Sequence, residues 1–374
     1  MTFSDIIGQE ETIGQLRAMV DQGRMPHALM LFGPMGSGKL AMALALARYM
    51  LCQHPVDGQP CGQCTDCRMT EQWAHPDLHF SFPLFKQKST DQPISDDRLT
   101  EWREQLSRTP YFTPNDWLAD LHGENQQLQF YVGESDSLQR KLSLKASQGG
   151  YRIVIVWLPE KMPPATANKL LKLIEEPPSQ THFILVSQEP EQVLGTILSR
   201  TQRMRVPALP EQVIAQTLTE RHGVSPDRAA TLAHVAQGSY TQALALVSDD
   251  DERKAHFDFF VQLMRYCYMR QAQEMRQWAD LVSGLGRERQ KRMLEYFQRL
   301  VRENFVSNFR QPQLVYMTDE EETFARNFAR FINERNVIPF TEELAACQAE
   351  IEQNVSPRMV FFDLALKITL LLKK

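Results

Sequence analysis

No run of about 20 apolar residues occurs in this 374-residue chain, so no segment has the length and apolarity of a bilayer-spanning helix. The greasiest stretch, Met359 to Leu372, is shorter than that and is interrupted by Asp363 and Lys367; it reads as a buried helix. Basic residues are in slight deficit: 41 Lys and Arg against 46 Asp and Glu give a net charge of −5. That excludes a polyelectrolyte that wraps nucleic acid over its whole surface, so any DNA contact has to be local or shared with partners. The opening residues MTFSDIIGQEETIG lack the basic and apolar regions of a secretory signal, which predicts a cytoplasmic protein. There is no sequence repeat, no low-complexity tract, and no Ser-His-Asp or Cys-His arrangement that would mark a nucleophile. Only six cysteines are present, which points to reduced thiols or a metal site and away from a disulfide framework.

What is present begins with Gly33-Pro34-Met35-Gly36-Ser37-Gly38-Lys39, the G-x-x-x-x-G-K spacing of a phosphate-binding loop. The apolar run Ala28 to Phe32 predicts a strand before it, and Leu40 to Ala47 predicts a helix after it. In that context Gly33, Gly36 and Gly38 let backbone N–H groups turn inward around phosphate oxygens, and Lys39 adds a point charge. The next position normally carries a hydroxyl for Mg²⁺, and Leu40 cannot supply one. The candidate neighbouring strand, Ile153 to Leu158, runs into Pro159-Glu160 with no Asp at its end. Nucleotide binding survives these losses; efficient hydrolysis does not. Glu160 could substitute only if the strand end were bent, and it reads as surface charge.

Further strands are predicted at Leu78 to Phe80, Phe183 to Val186 and Met204 to Val206, alternating with helical stretches such as Ala165 to Glu176. This predicts an α/β domain with a mostly parallel sheet, closed by Pro207 and Pro210. Glu211 to Ser248 reads as helical with a turn at Gly238, and no strand signal occurs from Asp249 onward. Phe257 to Met275 and Arg289 to Phe305 have helical spacing, and Ser356-Pro357 reads as the start of a last helix. Gln87 to Asp97 reads as a loop, and no motif is found between about 84 and 135.

Cys52, Cys61, Cys64 and Cys67 follow C-x8-C-x2-C-x2-C, four thiols within sixteen residues. Four thiolates complete a closed tetrahedral Zn²⁺ site with no position left for substrate, so the metal is expected to be structural. His54 and His75 are alternative ligands, while Cys267 and Cys347 stand alone and read as core residues. Arg200, in Thr196-Ile197-Leu198-Ser199-Arg200, stands just before the last predicted strand, where an arginine can reach a neighbour's phosphates in trans. The basic run Arg287, Arg289, Lys291 and Arg292 reads as a solvated helix face.

Several of these features occur together and in order: Ile6-Ile7-Gly8-Gln9-Glu10, Met25-Pro26-His27-Ala28, the four-cysteine insert, Asn168 through Glu175-Glu176-Pro177-Pro178, and Thr196 through Arg200. Over residues 1 to about 206 this set resembles the bacterial clamp-loader subunits of the AAA+ class. The resemblance implies an α/β AAA+ (P-loop NTPase-like) core at 1–207 with a zinc module at 52–67, a helical lid at 208–248 and an all-α collar at 249–374. Within that family the ATPase members keep a hydroxyl after the loop lysine and an Asp-Glu pair on the strand, where this chain has Leu40 and Trp157-Leu158. The family's sensor arginine maps near Gly238 to Thr241, where Thr241 stands in its place. The family's Ser-Arg-Cys motif maps to Ser199-Arg200-Thr201, which implies a trans arginine finger at Arg200 with Ser199 beside it.

These losses resemble a member that carries ATP or ADP, if at all, without efficient hydrolysis. The implied partners are the ATPase and delta-type subunits of a hetero-pentamer and, through it, the sliding clamp and primed DNA. Two other readings stand beside this one. The first is a self-sufficient AAA+ ATPase of DNA replication or repair that uses Glu160. The second is a zinc-dependent DNA-binding module, disfavoured by the scarcity of basic residues around the cysteines, where Arg68 is almost alone.

Overall fold

The computed structural model describes residues 1–88, 90–123, 126–143, 150–248, 250–353 and 355–373; the expected boundary residue 249 lies outside them, as does Ser89 in the expected loop. The chain divides into two compact units, Met1–Ala233 with Gly238–Gln242, and His234–Gln237 with Ala243–Lys374. The stretch 208–248 therefore contributes to both.

The first unit is built on five parallel strands: β1 (Ala28–Phe32), β2 (Leu78–Ser81), β3 (Arg152–Trp157), β4 (Thr181–Ser187) and β5 (Gln202–Arg205), in the order β2-β3-β4-β1-β5. Every residue of β3, RIVIVW, is buried, as expected of a strand covered on both faces, where β-branched residues pack best. Strand β5, QRMR, stands at an edge and buries only Met204. Helices α1 (Glu10–Asp21), α2 (Lys39–Leu51), α3 (Thr65–Glu71), α4 (Leu99–Arg108), α5 (Pro114–Asp120), α6 (Val132–Ser143), α7 (Pro164–Glu175), α8 (Gly195–Leu198), α9 (Glu211–His222), α10 (Pro226–Val235) and α11 (Tyr240–Ser248) follow in chain order; α10 and α11 pass from one unit to the other. Helix α2 is buried along its whole length, which suits its Ala-, Leu- and Met-rich composition. One layer of the sheet's core, from Met30, Val154, Val156, Phe183 and Leu185, packs against Leu138 and Leu142 of α6 and Leu170 and Ile174 of α7.

Beyond residue 249 the second unit consists of helices joined by loops, with no strand among the described residues: α12 (Asp250–Met269), α13 (Ala272–Ser283), α14 (Arg287–Ser307), α15 (Asp319–Phe328), α16 (Val337–Glu352) and α17 (Pro357–Leu371). Its core gathers Phe260, Trp278, Phe297, Phe340 and Phe361. The single helix expected over Phe257 to Met275 is broken at Arg270, whose φ of 57° ends α12. Cys267 and Cys347 are buried as expected, and burial pushes both thiols up to about 12. Among the described residues no helix is long and apolar enough to cross a membrane.

Candidate functional site

The loop between β1 and α2 is shaped by two close approaches. Gly33 has φ 151°, and a Cβ there would lie 2.1 Å from the carbonyl oxygen of Val206 at the end of β5. Gly36 has φ 75°, and a Cβ would lie 2.3 Å from Ser239 Oγ and 2.6 Å from Thr241 Oγ1 at the start of α11. No side chain fits at either position, which accounts for glycine at both. Gln9 ties the N-terminal segment to this loop, its Nε2 donating to the carbonyls of Ser37 (3.2 Å) and Pro207 (2.7 Å).

Lys39 is only 5% exposed, and its ammonium turns back on its own loop, donating to the carbonyls of Gly33 (2.7 Å) and Pro34 (2.5 Å). Burial lowers its pKa to about 8, against the opposing pull of Glu160. Leu40 is buried, and no hydroxyl stands at that position.

Strand β3 ends in Trp157, and Leu158 then takes a left-handed conformation, φ 58°. The bend carries Glu160 inward. Its Oε1 accepts N–H from Gln188 (2.9 Å) and Glu189 (3.4 Å), and Oε2 has no protein partner. The expectation that Glu160 is surface charge is thus corrected: it is 9% exposed, because the left-handed residue before Pro159 redirects the chain. Ser187, at the end of β4, is also buried with its hydroxyl unpaired.

The motif-free stretch after β2 has a clear structural role. It leaves and returns through a two-way backbone bridge between Leu84 and Gln129 and carries α4 and α5. Glu134 clamps its base, accepting from Ser81 Oγ, Ser95 Oγ and Ser95 N at 2.7 Å each. Its rings meet at the end of β3. Phe82 stacks on Trp102 with centroids 4.2 Å apart, and Trp102 and Phe112 contact Trp157 at 5.2 and 5.1 Å. Beside Phe112, Tyr111 accepts the Ile7 N–H at 3.0 Å and meets the Tyr240 ring edge-to-face at 5.1 Å. Sequence reasoning missed these residues; the only signal was aromatic density in a stretch without a motif.

The four cysteines converge. The sulfurs of Cys52, Cys61, Cys64 and Cys67 all lie within 4.8 Å of one another. Backbone N–H groups point at them: Cys61 N at Cys52 Sγ (3.2 Å), Cys64 N at Cys61 Sγ and Cys67 N at Cys64 Sγ (both 3.4 Å). Such donors favour thiolate, and the N–H groups of Gln63 and Cys64 hold Cys61 down to about 6, while burial pushes Cys67 up. This donor set fits a tetrahedral metal. His75 is not part of it. Its Nδ1 accepts the Asp77 N–H (3.0 Å), which leaves Nε2 to donate to Asp66 (3.1 Å), one residue from Cys67. His54 is exposed and also outside the group.

Arg200 follows α8, with its side chain 36% exposed. Nε donates to Glu175 at the end of α7, and Nη1 donates to Thr196 O (2.9 Å) and Ser199 Oγ (3.1 Å). Ser199 in turn donates to Thr196 O at 3.1 Å. One edge of the guanidinium is fixed in this way. Thr241 is buried at the start of α11 against Gly36.

Comparison with known proteins follows the same region. A family model described as "DNA polymerase III, delta subunit" matches residues 8–210, more than half of the chain. The chain is 30% identical over 237 residues to DNA polymerase III subunit delta' of Escherichia coli, covering 63% of this chain and 59% of that protein. It is 26% identical to subunit delta' of Bacillus subtilis, covering 65% of each. It is also 28% identical to subunit tau/gamma of Haemophilus influenzae, covering 66% of this chain and 30% of the relative. The match thus spans less than two thirds of each of these relatives. On the parallel core, the phosphate-loop geometry and this agreement, the chain belongs to the delta-prime family of DNA polymerase III clamp-loader subunits.

Proposed function

We propose that this chain is a non-hydrolysing subunit of the clamp loader of the bacterial replicative polymerase, and that Arg200 completes the ATP site of a neighbouring ATPase subunit. The observation that supports this most is the end of β3. Trp157 and Leu158 stand where the ATPase members hold Mg²⁺ and water, and Trp157 is locked among Trp102 and Phe112. Leu40 and Thr241 remove a metal ligand and a sensor arginine from the same site.

In this reading residues 208–248 act as the lid and 249–374 as the collar of a hetero-pentamer with ATPase and delta-type subunits, loading the sliding clamp on primed DNA. Charge that develops on the γ-phosphate of the neighbour would be met by the guanidinium edge that Glu175, Thr196 and Ser199 leave free. Bound at Cys52, Cys61, Cys64 and Cys67, Zn²⁺ would supply a crosslink between the end of α2 and α3 and no chemistry.

The test is ATP turnover by the purified chain and by the complex reconstituted from its partners. The chain alone is expected to turn over far more slowly than about 1 per second, the ordinary enzyme range. Arg200→Ala should silence the adjacent site by on the order of 10³–10⁵, leaving assembly and zinc content intact. Arg200→Lys should rescue poorly, because an ammonium lacks the planar fork. Unchanged hydrolysis at that site would end the assignment.

A second reading, a self-sufficient ATPase, draws on Glu160, whose buried Oε2 has no protein partner. Turnover by the chain alone that disappears in Glu160→Gln would favour it.

A further inference from the structure

We propose that the insert between β2 and α6 is a built-in occupant of the nucleotide cleft, with Tyr111 filling the space a nucleotide would need, so that this chain takes up neither ATP nor ADP. The inference rests on the non-hydrolysing reading and deepens it.

Three walls surround Tyr111. The N-terminal segment is one: the buried N–H of Ile7, free of any helix or strand, donates to the Tyr111 hydroxyl at 3.0 Å. The phosphate loop is another, since a Cβ built on Gly38, the residue that caps α2, would lie 3.3 Å from that hydroxyl. The start of α11 is the third, through the edge-to-face contact with Tyr240, whose own hydroxyl is bonded to His222 Nε2 at 2.8 Å. Tyr111 is 7% exposed and Tyr240 is 3% exposed, so little room remains between them.

The insert is also anchored so that it resists displacement. Phe112, the next residue, packs against Trp157 and Trp102, and Thr109 Oγ1 accepts the Tyr111 N–H at 3.1 Å. Trp157, the one ring that stands in place of a metal-binding carboxylate at the end of β3, is therefore also one of the rings that hold the plug. The loop's own charge is used internally as well: Lys39 donates to Gly33 O and Pro34 O. A nucleotide would have to expel a buried aromatic side chain, break the Ile7 bond and free Lys39, with no metal ligand in return at Leu40 or Trp157.

The experiment is equilibrium binding of radiolabelled ATP and ADP, with Mg²⁺, to the purified full chain, alongside ATP turnover and tryptophan fluorescence. Wild type is expected to bind neither nucleotide at concentrations up to about 1 mM. Tyr111→Phe, which keeps the ring, should also exclude both. Tyr111→Ala should gain binding at least about tenfold above the wild-type limit. Wild-type binding of either nucleotide with Kd below about 100 μM overturns the plug. Without turnover, such binding leaves the non-hydrolysing reading standing; with turnover, both fall. A folded Tyr111→Ala that still binds nothing removes Tyr111 from the role and also overturns the proposal. If that variant does not fold, the wild-type measurement decides.

Discussion

Lys39 shows how a side chain from a nucleotide-binding motif behaves when its own loop satisfies it. Its ammonium is buried, and its folded pKa, about 8, lies below the unfolded value of 10.5. The unfolded chain therefore holds this proton more tightly. Below pH 8 both states are charged and the full penalty of burying the ammonium applies; between about pH 8 and 10.5 the folded form sheds its proton first, and stability rises with pH. Other groups titrate in that window, so the comparison is with Lys39→Met, which lacks the titrating ammonium. The difference in unfolding free energy, wild type minus variant, should grow on going from pH 7.5 to 10 by something on the order of 2 kcal/mol. Denaturant titrations at both pH values measure it, and a flat difference would mean that the ammonium is better hydrated than its 5% exposure implies. At the same scale, the motif singled out Arg200, but nothing in the sequence announced its contact with Glu175. The two lie 25 residues apart, and only the packing of α8 against α7 brings them together.

Among elements, the insert carries the most weight. Trp102 is fully buried and touches Phe80, Phe82, Phe112, Trp117 and Trp157, so it joins β2, β3, α5 and the loop that bears Tyr111. Trp102→Ala leaves a cavity among rings that cannot easily collapse; a loss of about 3–5 kcal/mol is expected from denaturant unfolding. The near-UV circular dichroism of the stacked tryptophans should weaken while far-UV helicity changes little. A loss below about 1 kcal/mol would place the insert outside the cooperative core. The same element shows where sequence legibility stops. The strand–glycine loop–helix unit, the other four strands and the last helix at Pro357 were readable, because each is set by local pattern: β-branched runs, helix formers, a first-turn proline. The insert was not readable. Its two helices are short, its rings meet partners such as Trp157 more than 40 positions away, and such pairings leave no local period. The burial of Glu160 escaped for a similar reason: the left-handed turn at Leu158 has no glycine or asparagine to announce it.

At the scale of the whole molecule, the cysteine cluster and the separate cores of the two units lead to one further expectation. The convergence of the four cysteines was legible because C-x2-C spacing is itself a turn geometry, and the structure brings all four sulfurs within mutual reach. What it could not announce is the tie from this module into the first unit. His75, fixed by the Asp77 N–H beside β2, holds Asp66 in α3, so a metal bound at the cysteines would be linked to the edge of the sheet. Ligand binding energy present only in the folded state adds to folding stability. Purified without chelator, the chain should therefore carry one zinc, and Cys64→Ser should lose it. A loss of about 3 kcal/mol would lower the melting temperature of a unit of this size by roughly 6–12 °C. The helical unit has its own core around Phe260, Phe297 and Phe361 and no cysteine of the cluster, so its transition should stay where it is. Calorimetry of wild type, of wild type stripped by chelator, and of Cys64→Ser separates these effects. Chelation and substitution should each shift the first transition, and together they should shift it no further, since both remove the same metal. Zinc absent from wild type by elemental analysis, or equal melting of all three samples, would overturn the structural-metal reading and leave the thiols as packed side chains.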